Sequence, residues 1–442
     1  MTAEIGILNK TAVALAADSA VTITNRRGEK IYNYANKLFY LSKYHPIGIM
    51  VYGNAELSGV PWETIIKVYR KVLDGKVFDT TEEYAEDLFN FLQEEDNYLF
   101  GENTVNAGME NVILNFLRQI SLELAQGLDV NFEGEEEVDP EDVLRFTDEF
   151  VMEKYEEISA QDYLNNFDHD DVAEILHQKE QLLDDIVEGL FLNLPLNNGN
   201  KDTLKMMTAL YLCKDIFIQD YSGIVIAGFG ELETFPSMYS YLVEGMVEKK
   251  LKYRYDKEKN VEISNENQGA VIPFAQDDMV YTILSGVDLE YDRFSKKFLA
   301  QVFDQYPREL ISILKDNLQL DSEVSDKLLD SFTEISNQLF EAHKNETQKY
   351  LFNNHVYPIY NTIEILPKEE LASIAETLVN ITSFKRKISA AAETVGGPVD
   401  VALITKGDGF IWIKRKHYFD PSLNQHFFSN YFRRNLNDDL ND

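Results

Sequence analysis

Segments with a two-residue apolar period fall into three separated groups in this chain, and long helical stretches divide them. At the start come TAEIGIL, TAVALAADSAVTI, KLFYLS and IGIMVYG; in the middle come SGIVIAGFG (222–230), PSMYSYLVEGMV (236–247) and GAVIPFAQ (269–276). Near the end, PVDVALI, the turn TKGDG and FIWIKRK read as a hairpin. That order does not suit the regular strand–helix alternation of a parallel α/β domain. It predicts an α+β protein, a layered sheet structure into which helical material is inserted. Asn9-Lys10, between the first two segments, suits a tight connection.

The dividing segments carry the helical period. TEEYAEDLFNFLQEE, ENVILNFLRQISLELAQGL and DDVAEILHQKEQLLDDIVEGLFL space apolar residues by three and four. NFEGEEEVDPED reads as an exposed acidic loop that restarts a helix after Pro140. A second helical stretch covers about 292–392, with EVSDKLLDSFTEISNQLFEAHK as its clearest part. Charge separates the first stretch from the rest. The 442 residues hold 76 Asp+Glu and 41 Lys+Arg, a net −35; residues 81–190 alone hold 32 acidic residues and four basic ones (Arg118, Arg145, Lys154, Lys179), a net −28.

An acidic excess of this size repels a nucleic-acid backbone and an anionic membrane surface, so neither is expected as a general partner. The start lacks a basic-then-apolar signal, and no apolar run approaches the ~20 residues of a spanning helix. A soluble, cytoplasmic protein is expected. Cys213, the one cysteine, lies in the apolar run LYLCKDIF and reads as a small core residue. The seven His are scattered without an HExxH, and FDHDD (167–171) reads as a helix start rather than a cation site. No phosphate-binding glycine motif occurs, and neither metal nor cofactor is expected.

Candidate chemistry concentrates in the first 60 residues. Thr2 stands directly behind Met1; AADS ends a buried-looking strand with the carboxylate Asp18; NKL places Lys37 at the head of the next strand. IGIMVYG then runs through Gly53 into NAELSGVPWETIIKVYRKVL, whose later part reads as helix. A strand that ends in Gly before a helix offers backbone N–H groups to an anion or oxyanion.

Together MTAEIGIL, VALAADSAVT, NKLFYLS and IGIMVYGNAEL resemble the opening of proteasome β-type subunits and of the related bacterial two-component peptidase, members of the N-terminal nucleophile hydrolases. FAQDDMVYTILSGVD (274–288), ELASIAETLV and TVGGPVDVALITKGDGFIWIKR are similar to later parts of that family. The resemblance implies a four-layer αββα sandwich built from 1–75, 221–300 and 360–442, with an acidic helical insertion at 76–220 and a second insertion at 301–359. It also implies an exposed Thr2 after loss of Met1, acting as nucleophile and, through an α-amine of pKa about 7.7–8.0, as its own base. Lys37 would assist proton transfer, Asp18 would hold Lys37, and the Gly53 N–H would meet the oxyanion. Ala20, Thr22, Val51 and Ala55 would line the first substrate pocket.

This chain departs from the family at two places. The supporting Asp-x-x-Ser-Gly-Gly is Ala392-Glu393-Thr394-Val395-Gly396-Gly397 here, with Glu393 and Thr394 as displaced substitutes, and the family's Gly-Ser-Gly is Gln276-Asp277-Asp278. The expected activity is threonine-dependent hydrolysis of an amide bond in a polypeptide substrate. The alternatives are an inactive scaffold or binding protein of the same fold, and a small-amide amidohydrolase. The acidic insertion is a candidate contact for a homo-oligomer or a partner protein.

Overall fold

The computed structural model describes residues 2–25, 28–32, 34–94, 97–132, 139–218, 220–318, 320–388, 395–417, 419–426 and 429. Strands β1 (Ala3–Asn9) and β2 (Ala12–Ala17) are buried at every position and pair antiparallel, from Glu4 opposite Ala17 to Asn9 opposite Ala12. One side chain makes their turn: the Asn9 oxygen accepts the N–H of Thr11 at 2.9 Å and of Ala12 at 3.3 Å. The apolar stretch through residue 23 does not continue as one strand. It breaks at Asp18–Ala20, and β3 (Val21–Asn25) pairs with β4 (Gly28–Tyr32) instead.

Next come β5 (Leu38–Tyr40), β6 (Ile47–Gly53), β7 (Glu56–Leu57) and β8 (Val60–Pro61), then helices α1 (Trp62–Leu73) and α2 (Thr81–Leu92). Thr80 and Glu83 close a capping box on α2. Helices α3 (Glu102–Asn131), α4 (Pro140–Ser159), α5 (His169–Gln178), α6 (Glu180–Leu190) and α7 (Asn198–Cys213) follow. Asp139 caps α4 with Pro140 at its first position, and Asp168 caps α5 by accepting from Asp170 and Asp171. The acidic FDHDD is thus a helix start. Strands β9 (Ser222–Gly228), β10 (Ser237–Val247), β11 (Lys250–Tyr255), β12 (Val261–Glu262) and β13 (Gly269–Ala275) lead to α8 (Asp278–Ser285), α9 (Leu289–Leu318), α10 (Ser322–Leu351), α11 (Tyr357–Ile365) and α12 (Lys368–Ile388). The hairpin expected near the end is present as β14 (Asp400–Thr405) and β15 (Gly409–Lys414).

The class is α+β, with antiparallel sheets beside long helices. The chain divides into two compact units, one of residues 1–34, 263–403 and 412–442, the other of 35–262 and 404–411. Five strands are ordered β13-β1-β2-β14-β15, and six include the path β11-β10-β9-β6-β5 with β12 paired to β10. In the first unit Ile5 and Ile7 of β1 and Ala14 and Ala16 of β2 share an apolar cluster with Val280 of α8 and Leu371, Ala375 and Val379 of α12. The alanines of β2 leave room for a helix to lie close. Among the described residues no helix is long and apolar enough to cross a membrane.

Among its described residues the second unit has two apolar clusters. Ile49, Ile224, Ile226 and Tyr241 pack with Trp62 and Ile66 of α1 and Leu88 of α2. Helices α3 to α7 form the other around Ile113, Leu117, Val151, Leu183 and Leu204. Cys213 is wholly buried there, and burial pushes its thiol up to about 12.

A bulge in β10 builds an ionic pair into this unit. The register with β11 shifts between Val243 and Gly245, at Glu244. The Glu244 carboxylate meets Lys252 Nζ at 2.6 Å, with the lysine wholly buried and the glutamate nearly so. Lys252 also donates to the Tyr211 carbonyl at 2.7 Å and lies 3.6 Å from the centre of its ring, while the Tyr211 hydroxyl donates to Glu244. Burial pulls the lysine's pKa down and the neighbouring Glu244 opposes that pull. Removing one partner leaves a buried charge without its counter-ion. Lys252→Ala is therefore expected to cost about 3–5 kcal/mol in urea unfolding, and the double variant Glu244→Gln/Lys252→Met distinctly less.

Candidate functional site

Period two places Thr2 and Glu4 on the same face of the first strand. Thr2 is buried, and its hydroxyl donates to Glu4 Oε2 at 3.0 Å; Glu4 is wholly buried. The Thr2 carbonyl accepts the Gln276 N–H at 3.1 Å, just past the point where Ala3 stands opposite Ala275 in the β1–β13 register. Ala275 has φ +57, a left-handed residue that turns the chain out of β13. Gln276 is buried and Asp278 pairs with Lys385 and Arg386, so in the Gln276-Asp277-Asp278 departure one residue meets Thr2 and another meets α12.

Asp18 is 1 % exposed and its carboxylate collects backbone donors. Oδ1 accepts from Ala3 N at 3.2 Å; Oδ2 accepts from Ala20 N at 3.2 Å and from Gly396 N at 2.8 Å. Ser19 N returns a bond to the Gly396 carbonyl at 3.1 Å. Gly397 has φ +78, a conformation for which the Gly-Gly pair is suited. Val395, where the resemblance expects a Ser, is buried in the apolar cluster of β1, β2 and α12. Glu393 and Thr394 lie outside the described residues.

Lys37 and Gly53 belong to the second unit. Lys37 is 6 % exposed, and its carbonyl accepts the Val51 N–H at 2.8 Å, which sets it beside the strand that ends at Gly53. Gly53 has φ +75, and a Cβ there would stand 2.5 Å from the Tyr221 carbonyl oxygen, which already accepts the Asn54 N–H at 3.0 Å. The Ser222 hydroxyl donates to the Asn54 carbonyl at 2.8 Å and accepts from Trp62 Nε1 at 2.8 Å. The junction is held from the start of β9 and, through Ser222, from α1. A cavity of about 300 Å³ begins at Asn54 and is lined by Glu56, Asn111 and Asn115 of α3, and Glu244.

Of the expected pocket residues, Ala20 is buried in the first unit and Thr22 lies in β3, opposite Ile31. Val51 is buried in β6, and Ala55 is exposed just beyond it. The structure thus brings Thr2, Asp18 and Gly396 together in one unit, and Lys37, Val51 and Gly53 together in the other. At Thr2, Glu4 went unread in the sequence, and Gln276 was read without its contact to Thr2. Glu4 had a signal, a lone carboxylate two residues from Thr2 in an otherwise apolar strand. Gln276 stood out only as a departure from the family's Gly-Ser-Gly, because it reaches Thr2 through a pairing more than 250 residues apart in sequence.

Gly53 answers to two constraints, positive φ and a carbonyl in contact distance. Gly59 has φ +81 with open space where its Cβ would be. Gly53→Ala is expected to cost about 1–3 kcal/mol in urea unfolding and to exceed the cost of Gly59→Ala, which carries the backbone strain alone.

No family model matches this chain, and no curated protein matches it by sequence.

Proposed function

We propose that the chain is a threonine-dependent amide-bond hydrolase of the proteasome-like, N-terminal nucleophile type, acting on polypeptides, with the two sheets as the inner layers of an αββα sandwich. The observation that carries the reading is the setting of Thr2: a buried hydroxyl hydrogen-bonded to a buried carboxylate, at the head of a strand fixed through Ala3 N and the Thr2 carbonyl. Loss of Met1 places an α-amine on the same residue, and an amine titrating near neutrality is a suitable base for a hydroxyl nucleophile.

In this reading Thr2 Oγ1 attacks the substrate carbonyl, and its proton passes to the amine and on to the leaving nitrogen as the C–N bond breaks. Water then cleaves the ester and restores the hydroxyl. Glu4 joins the assignment as the carboxylate that aims Oγ1. Lys37 assists proton transfer, Gly53 supplies the oxyanion N–H, and the bonds Asp18 makes to Ala3 and Gly396 position the nucleophile's strand. An inactive scaffold of the same fold is the second reading, favoured by Val395, an apolar core residue where the resemblance calls for a hydroxyl.

Intact mass is expected to show Met1 absent. An electrophile that reacts with N-terminal threonine is expected to add once to wild type and not to Thr2→Ala; equal labelling of both, or retained Met1, supports the scaffold instead. Glu4→Gln keeps the shape and removes the charge. It is expected to slow labelling by roughly 10²-fold in protein whose circular dichroism is that of wild type; an unchanged rate removes Glu4 from the mechanism and leaves Thr2 in place.

A further inference from the structure

Helices α9 and α10 are each 30 residues long and form an antiparallel pair. Their contact line is marked by Phe303, whose ring lies 5.7 Å from that of Phe340 and whose carbonyl accepts the Ser336 hydroxyl. At about 100° per residue, Phe298, Val302 and Tyr306 are turned from Phe303 by roughly 60–140° in one sense. Val324, Ile335 and Leu339 are turned from Ser336 by the same range in the same sense. In an antiparallel pair, equal turns of equal sense emerge on the same side. The six side chains therefore form one apolar face, and all are exposed, Phe298 at 54 % and Leu339 at 56 %.

We infer that this face binds the same face of a second copy of the chain, closing a four-helix bundle across a two-fold axis. Symmetry favours a copy over another partner, because an isologous contact needs one surface only and two-fold dimers are the commonest assembly of identical chains. The stripes are also complementary in size. The two-fold that lays α9 on the partner's α10 sets the aromatic stripe of Phe298 and Tyr306 against the aliphatic stripe of Ile335 and Leu339.

Area and charge agree with this. Helices about 45 Å long and 8–10 Å apart present a face of roughly 800 Å² per copy, about what a stable complex buries on each side. Residues 289–351 hold 12 acidic and eight basic residues, a net −4, whereas 81–190 carry −28. Pairs such as Asp292–Lys296, Asp304–Arg308 and Glu323–Lys327 neutralise the hairpin locally. A contact between two copies of this hairpin brings together segments at −4 each rather than segments at −28.

The full chain is measured by light scattering coupled to size exclusion at micromolar concentration. Wild type is expected at twice the 50.9 kDa chain mass. Phe298→Glu and Leu339→Glu are each expected to give the monomer with unchanged circular dichroism, and Asn337→Glu, on the opposite side of α10, is expected to leave the dimer intact. A monomeric wild type, a dimer that survives both face substitutions, or equal disruption by Asn337→Glu would overturn the inference.

Discussion

The first unit is organised around one buried carboxylate. Asp18 accepts the N–H groups of Ala3, Ala20 and Gly396, which come from the head of β1, the segment between β2 and β3, and the Gly-Gly turn before β14. A buried carboxylate is costly until hydrogen bonds replace its water, and bonds to a charged acceptor are worth about 1.5–3 kcal/mol each. That requirement explains why the apolar run through residue 23 stops being a strand at Asp18: the Ala20 N–H turns to the carboxylate. It also explains how segments almost 380 residues apart meet, since Gly396 both donates to Asp18 and accepts from Ser19.

Local chemistry was legible in the sequence where one or two residues decide it. Asn9 makes its own turn, FDHDD starts α5, and the acidic loop restarts a helix at Pro140. The three strand groups were legible as strands from their period, and Cys213 as a core residue from its neighbours. What the sequence did not reveal depends on register between distant strands. Gln276 reaches Thr2 because Ala3 faces Ala275, and Lys252 reaches Glu244 because a bulge shifts β10 against β11. Neither spacing has a local signature.

The site was legible unevenly for the same reason. Asp18 stood out as a carboxylate ending a buried strand, and Gly53 as a glycine between strand and helix. Their surroundings were not visible: the three backbone donors on Asp18, or the Tyr221 carbonyl against which only a glycine fits at 53. Glu4 is the intermediate case. Strand geometry alone puts it on the face of Thr2, yet period two does not distinguish a carboxylate that aims a hydroxyl from one that meets a distant cation.

Charge and packing are separated along this chain, and the separation bears on association. Many acidic residues of 81–190 sit on α3 to α6, whose inner faces share an apolar cluster, so burial offsets their mutual repulsion within the unit. Between two molecules nothing comparable offsets it, because exposed charges of one sign meet across solvent and are screened only beyond about 8 Å at physiological salt. The α9–α10 hairpin reverses both properties, with charges balanced along each helix and apolar side chains uncovered. A chain this acidic associates with itself most readily through a segment whose charge is balanced and whose apolar side chains are uncovered.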